Sequence, residues 1–136
     1  MYISENTFVG AVIGGVSKSS DQSAISATFL NMENWRAGRA LCHAGPIGAS
    51  GVVTWTLYEA TAAAGTSSAA ISGKTAEHDG TDDDTVQFIN FDVGDLTEGY
   101  NYVGLGVSVS SDTAVICAGS LELYTPRYAK ATTAAT

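Results

Sequence analysis

The most polar stretch of the chain is Glu77-His78-Asp79-Gly80-Thr81-Asp82-Asp83-Asp84, and it is the first place to look for ionic chemistry. Carboxylates on a flexible loop can supply the roughly six to eight oxygen ligands that a calcium ion takes. The spacing is not that of the helix-loop-helix calcium site, because Gly80 follows Asp79 directly and no glutamate closes the loop at the expected place. The segment therefore reads as a solvated, like-charged hairpin connection, with a bound cation at Asp79 to Asp84 as the alternative. Zinc would need His43, His78 and one of Cys42 or Cys117 to converge, yet neither a close cysteine pair nor paired histidines are present. The expectation is that His43 lies near a strand end and His78 in an exposed loop, with no metal and no cofactor held.

Catalytic patterns are equally thin. Serine and threonine are so abundant that one beside a histidine carries little meaning, and no Gly-x-Ser-x-Gly turn presents a nucleophile. Glu59, Asp92 and Glu122 fall on or near strand ends and are the candidates for a carboxylate pair of the glycosidase kind, whose separation only folding can set. Gly14-Gly15 lacks the Lys-Ser/Thr that completes a phosphate loop and reads as a flexible turn. No catalytic residue is assigned, and the chain is not read as an enzyme.

Six Lys or Arg stand against fourteen Asp or Glu in 136 residues, a net charge of -8. That balance repels a phosphate backbone and argues against direct binding of nucleic acid. The basic pairs Arg36/Arg39, Arg127/Lys130 and Lys18/Lys74 remain available for local contacts with an acidic partner. Charged residues make up 15% of the chain, below the roughly 25% usual for soluble domains, so the surface must be largely Ser, Thr, Ala and Gly. Such a surface suits extensive neutral contact. Cys42 and Cys117 sit in apolar runs without a disulfide-dense pattern and read as reduced core or interface thiols.

The start Met1-Tyr2-Ile3-Ser4-Glu5 carries an acid where a signal peptide needs a basic region, and the apolar stretch from Phe8 to Val16 is interrupted by Gly10, Gly14 and Gly15. No run approaches the roughly 20 apolar residues that span a bilayer. The expectation is a protein made soluble in the cytoplasm, with no membrane contact.

The elements that would position any site are strands. Fifteen glycines, with Thr, Ser and Val between them, lower helix propensity and favour a pleated surface. Val53, Trp55 and Leu57 alternate with Thr54, Thr56 and Tyr58, which makes the first set core. Val103, Leu105, Val107 and Val109 alternate with Tyr102, Gly104, Gly106 and Ser108, and the two glycines leave room for a close neighbour. Val115, Cys117, Gly119, Leu121 and Leu123 alternate with Ile116, Ala118, Ser120, Glu122 and Tyr124. In Thr85 to Asp92 both faces are partly apolar, Val86 and Phe88 against Ile89 and Phe91, so one of them can meet another element or subunit. Arg39 to Ala44 is a further run that ends at Gly45-Pro46, and Ile25 to Met32 alternates with a register change or bulge near Leu30. Connectors are read at Ala60 to Ala70, Gly73 to Asp84 and Asp95 to Tyr100, the last turning at Glu98-Gly99.

At least six strands joined by Gly-rich or acidic loops predict an all-β fold, a single-domain antiparallel β-sandwich over residues 1–129. The pattern does not by itself choose a jelly roll over another Greek key. Residues 130–136 form a small-residue tail, flexible or bound by a partner. Trp35 with Arg36 and Arg39, and Tyr124 with Arg127 and Tyr128, are the candidate interface clusters, because aromatic residues and arginine supply much of the contact energy where proteins meet.

The order of features resembles the small structural proteins encoded beside the major capsid protein in tailed bacteriophages, which decorate or cement the head shell. The resembling parts are Met1 to Asn6, Thr61-Ala62-Ala63-Ala64-Gly65-Thr66, Ala70-Ile71-Ser72-Gly73-Lys74, Val86-Gln87-Phe88, Tyr100-Asn101-Tyr102-Val103 and Pro126-Arg127-Tyr128-Ala129. The resemblance implies a jelly-roll or related sandwich, a homo-oligomer with a trimer favoured, the major capsid protein as partner, and a place on the capsid surface of a virion. The alternative is a receptor- or carbohydrate-binding module of a phage tail or fibre.

Overall fold

A computed structural model describes residues 7–18, 22–25, 28–81, 84–110 and 115–126. In chain order the described strands are β1 (Thr7–Lys18), β2 (Gln22–Ile25), β3 (Leu30–Asn31), β4 (Trp35–Ala44), β5 (Val52–Ala60), β6 (Ala69–Asp79), β7 (Thr85–Asp92), β8 (Tyr102–Ser110) and β9 (Val115–Pro126), with a 3₁₀ turn at Val93–Asp95. The expected all-β class holds. The tail at 130–136 lies outside the described residues, as do Arg127 and Tyr128.

The strands form two antiparallel sheets. The first has the order β1-β9-β4-β7, and the second β2-β8-β5-β6, with β3 also pairing β8. Ile25 stands opposite Gly106 and Leu30 opposite Val103, so β2 and β3 both pair with β8, one after the other along its length. The described strands thus fall into two layers. The first strand lies beside the last, and nearly every connection crosses between layers. This is a jelly roll.

The core lies between the layers, and the alternation read along the strands decides who enters it. Ala40, Cys42 and Ala44 of β4, Val115, Cys117, Leu121 and Leu123 of β9, and Ile89 and Phe91 of β7 come from the first sheet. Val53, Trp55 and Leu57 of β5 and the four alternating residues of β8 from Val103 to Val109 come from the second. Burying the Trp55 side chain removes roughly 200 Å² from water, about 5 kcal/mol at the usual coefficient and an upper bound. Its ring fits because Gly119 faces it: a Cβ there would lie 2.8 Å from Trp55 Cζ3 and 2.7 Å from Leu105 Cδ2.

Several expectations are corrected. Gly73 to Asp84 is not all connector, since β6 runs to Asp79. Its outward side chains are polar, and Gly73 at φ +75° accompanies a register shift between Thr56 and Tyr58 of β5, so the alternation is broken in the sequence. Gly14-Gly15 is not a turn but lies inside β1, next to the register shift that ends at Val16. The acidic segment is not a hairpin either. It carries the chain from β6 in the second sheet to β7 in the first. These two edge strands are tied by side chains: Lys74 Nζ donates to the Asn90 carbonyl at 2.9 Å and lies 3.3 Å from Asp95 Oδ2, and Gln87 Nε2 donates to the Glu77 carbonyl. Such bonds occupy strand-edge carbonyls that would otherwise offer themselves to another chain.

Candidate interaction surface

The outward face of the first sheet is assembled by register. Arg39 lies between Asn90 and Glu122, Leu41 between Phe88 and Ser120, and His43 between Val86 and Ala118. Ile116 stands two residues before Ala118 on β9, its carbonyl accepting from the Gly45 amide at 2.8 Å. Ile116 is 61% exposed, Phe88 50% and Val86 46%. With half-buried Leu41 and Ala118 they make a patch of apolar side chains spread over three strands. Contiguous apolar surface of this kind marks sites where proteins meet.

At one end of the patch stands a fixed charge pair. Arg39 Nε lies 2.7 Å from Glu122 Oε2, and its guanidinium carbon sits 4.9 Å from the centroid of the Phe88 ring. Cross-strand placement brings the three side chains together, and Arg39 and Glu122 offset one another's charge. Tyr124, one pair further along opposite Ala37, is half-buried, and its hydroxyl lies 3.4 Å from the Gly38 carbonyl.

Of the predicted interface residues, Arg39 and Tyr124 therefore share this face. Trp35 opens β4 and packs partly against the core, and Arg36 is exposed. Arg127 and Tyr128 lie outside the described residues. Neither Arg39 nor Lys74 is a loose cation, since each has an acid of this chain beside it. The residue pattern marks Val86 and Phe88 as a second apolar face of their strand but does not join them to Leu41, Ile116 and Ala118. The signal is an apolar residue at outward positions of three strands, which becomes a patch only once the strand order is known.

The residues considered for catalysis are engaged elsewhere. Glu59, 6% exposed, accepts from the Thr97 amide at 2.7 Å and from the Thr97 hydroxyl at 2.6 Å. Asp92 caps the 3₁₀ turn through the Gly94 amide, and Glu122 holds Arg39. Asp79 accepts from the amide and hydroxyl of Thr81, a local turn. Among the described residues no three of His, Cys, Asp or Glu gather as metal ligands. His43 is half-buried on β4. His78 corrects the expectation of an exposed loop, being fully buried on β6, where a site on the inner side of a strand edge admits a polar ring that has bonding partners. Cys42 and Cys117 are both buried, and burial pushes the Cys42 thiol up to about 12, which keeps it protonated and unreactive.

No family model matches the chain, and no curated protein is similar to it. Solved structures are. A chain of infectious bursal disease virus, Gt strain, is 12% identical with a TM-score of 0.54, over 86% of this chain and 31% of that one. A chain of the T13 particle of the same virus is 12% identical with a TM-score of 0.54, over 89% and 31%. A chain of its Gx strain is 10% identical with a TM-score of 0.54, over 88% and 32%. The chain thus spans about a third of the length of these viral chains. At such identity the likeness is one of fold: this β-sandwich has the fold of a portion of chains from a virus particle.

Proposed function

We propose that the chain is a virion structural protein, and within that class a capsid decoration or cement protein that binds the outer surface of a bacteriophage head. The observation that carries the reading is the exposed Val86, Phe88 and Ile116 on one sheet face, set beside a neutralised Arg39–Glu122 pair. Likeness of fold to chains of a virus particle supports the same role. In this reading the partner is the major capsid protein, the chain acts as a homo-oligomer, a trimer by preference, and the small-residue tail at 130–136 is flexible or bound by a partner. Repeated attachment lets individually modest contacts hold, because each bound site raises the effective concentration at the next.

The test is addition of the purified chain to bacteriophage heads assembled without it from the major capsid protein, followed by sedimentation and electron-microscopic reconstruction. Stoichiometric density on the head exterior is expected. A chain that stays in the supernatant at every concentration would defeat the proposal. A second reading, a receptor- or carbohydrate-binding module of a phage tail or fibre, has its support on the opposite sheet, where a hydroxyl-lined groove opens. Density at the tail tip alone would establish it over the first.

A further inference from the structure

The outward face of the second sheet is built on glycine. On β8 the valines and Leu105 point inward, so Tyr102, Gly104, Gly106 and Ser108 face out. At Gly104 the place of a side chain is taken by the ring of Phe29: a Cβ there would lie 2.7 Å from the Phe29 Cε1 and Cζ atoms. Phe29 is 4% exposed although it stands apart from the inter-sheet core, and its amide donates to the Ala63 carbonyl at 2.8 Å. The bare backbone of β8 therefore accepts a flat ring.

Two residues along the same face, Gly106 stands between Thr56 of β5 and Ile25 of β2. Here the surface opens into a groove of about 210 Å³, walled by Thr54, Thr56, Tyr58, Ser108 and Ile25. Four walls carry hydroxyls, that of Tyr58 on an aromatic ring, and one is aliphatic. None bears a charge at neutral pH, in a chain whose net charge is -8. The acid nearest in register is Glu77, opposite Thr54 on the edge strand β6. A matching ligand has one apolar face, several hydroxyls and no negative charge. The volume is below the roughly 300–1,000 Å³ of pockets for larger ligands, which limits the seat to a single ring.

We propose that this groove binds a neutral saccharide. One pyranose lies over Gly106, its C–H face toward Tyr58 and Ile25, its hydroxyls exchanging hydrogen bonds with Thr54, Thr56 and Ser108. Anionic glycans are turned away by the acidic chain and by Glu77. The groove is shallow and the affinity of one site is millimolar, which an oligomer presenting several copies multiplies. The proposal deepens the carbohydrate-binding reading and is independent of where on a particle the chain sits.

The test is an amide NMR titration of the full chain with methyl α-glucoside, methyl β-galactoside and N-acetylglucosamine, and separately with benzyl alcohol as a ring without sugar hydroxyls. At least one sugar should move the amides of Thr54 to Tyr58 and Gly106 to Ser108. Tyr58→Ala should weaken that binding tenfold or more, about 1.4 kcal/mol. Thr56→Val, close in shape, should weaken it with the thermal midpoint unchanged and serves if Tyr58→Ala does not fold. Inert sugars, shifts elsewhere on the surface, or a response to benzyl alcohol alone would overturn the proposal, the last marking the groove as a socket for a partner's aromatic side chain. Sugars that fail while heads are still bound reject the groove only. Sugars that bind a chain no head retains reject head decoration only.

Discussion

The indole of Trp55 donates its Nε1–H to Nδ1 of His78 at 3.2 Å, and both side chains are fully buried. Since an indole nitrogen can only donate, Nδ1 is the acceptor and the imidazole proton rests on Nε2, which donates to the Thr85 carbonyl at 3.2 Å. One ring thus links β5 and β6 of the second sheet to the start of β7 in the first, where the chain crosses between layers. His78→Ala leaves a buried N–H without this acceptor and opens a cavity beside the largest core side chain. A loss of about 3 kcal/mol in urea unfolding is expected, with the far-UV circular dichroism retained.

Gly119 sits under the same indole. Gly119→Ala places a methyl 2.8 Å from a ring atom that has no room to retreat and 2.7 Å from Leu105 Cδ2. Overpacking of this kind costs about 1–3 kcal/mol, read as a lower urea midpoint at unchanged slope. An equal or higher midpoint would show that the two sheets can part to admit the methyl.

Cys42 predicts a dependence on alkaline pH. Its thiol is raised from 9.0 to about 12 by burial, so the native state keeps the proton over a range in which the unfolded chain has released it. The sign follows: the thiol's contribution is fully present below pH 9 and declines by about 1.4 kcal/mol per pH unit until the native thiol ionises near 12. The difference in stability between the wild type and Cys42→Ala should therefore shrink steadily above pH 9. Thiol reagents should label Cys42 only after unfolding, and a constant difference would contradict the account.

The exposed face of the first sheet separates binding from folding. Phe88→Ser and Ile116→Ser remove side chains that are half or more exposed, so stability should fall by no more than about 1 kcal/mol, part of it the contact of Arg39 with the Phe88 ring. Attachment to heads in a sedimentation assay should drop at least tenfold for the double variant. Retention at wild-type level would move the docking surface off this sheet face.

Much of the core is legible in the spacing of apolar residues. Val53, Trp55 and Leu57, the valines and leucine of β8, and the inward residues of β9 all alternate with polar or small partners, and each of these side chains is buried. Where the period fails, the strand is hidden. β6 is an edge strand whose side chains other than Ile71 and His78 reach solvent or its margin, and Gly73 interrupts it, so nothing in its residue order announces a strand. His78 looks like part of an acidic loop because its neighbours Glu77 and Asp79 are exposed, and only the indole across the ladder explains its burial.

Residue order alone determined that the chain is all β and which side of most strands faces inward, because a period of two is a local property carried by adjacent side chains. Tertiary structure decided which strands are neighbours: that β6 and β7 belong to different sheets, that β4 lies between β7 and β9, and hence that Phe88, Leu41, Val86, Ala118 and Ile116 form one patch and Arg39 meets Glu122. Those pairings join residues as far apart as 39 and 122, and their register is selected by the packing of two whole layers against each other, which no short window of sequence contains.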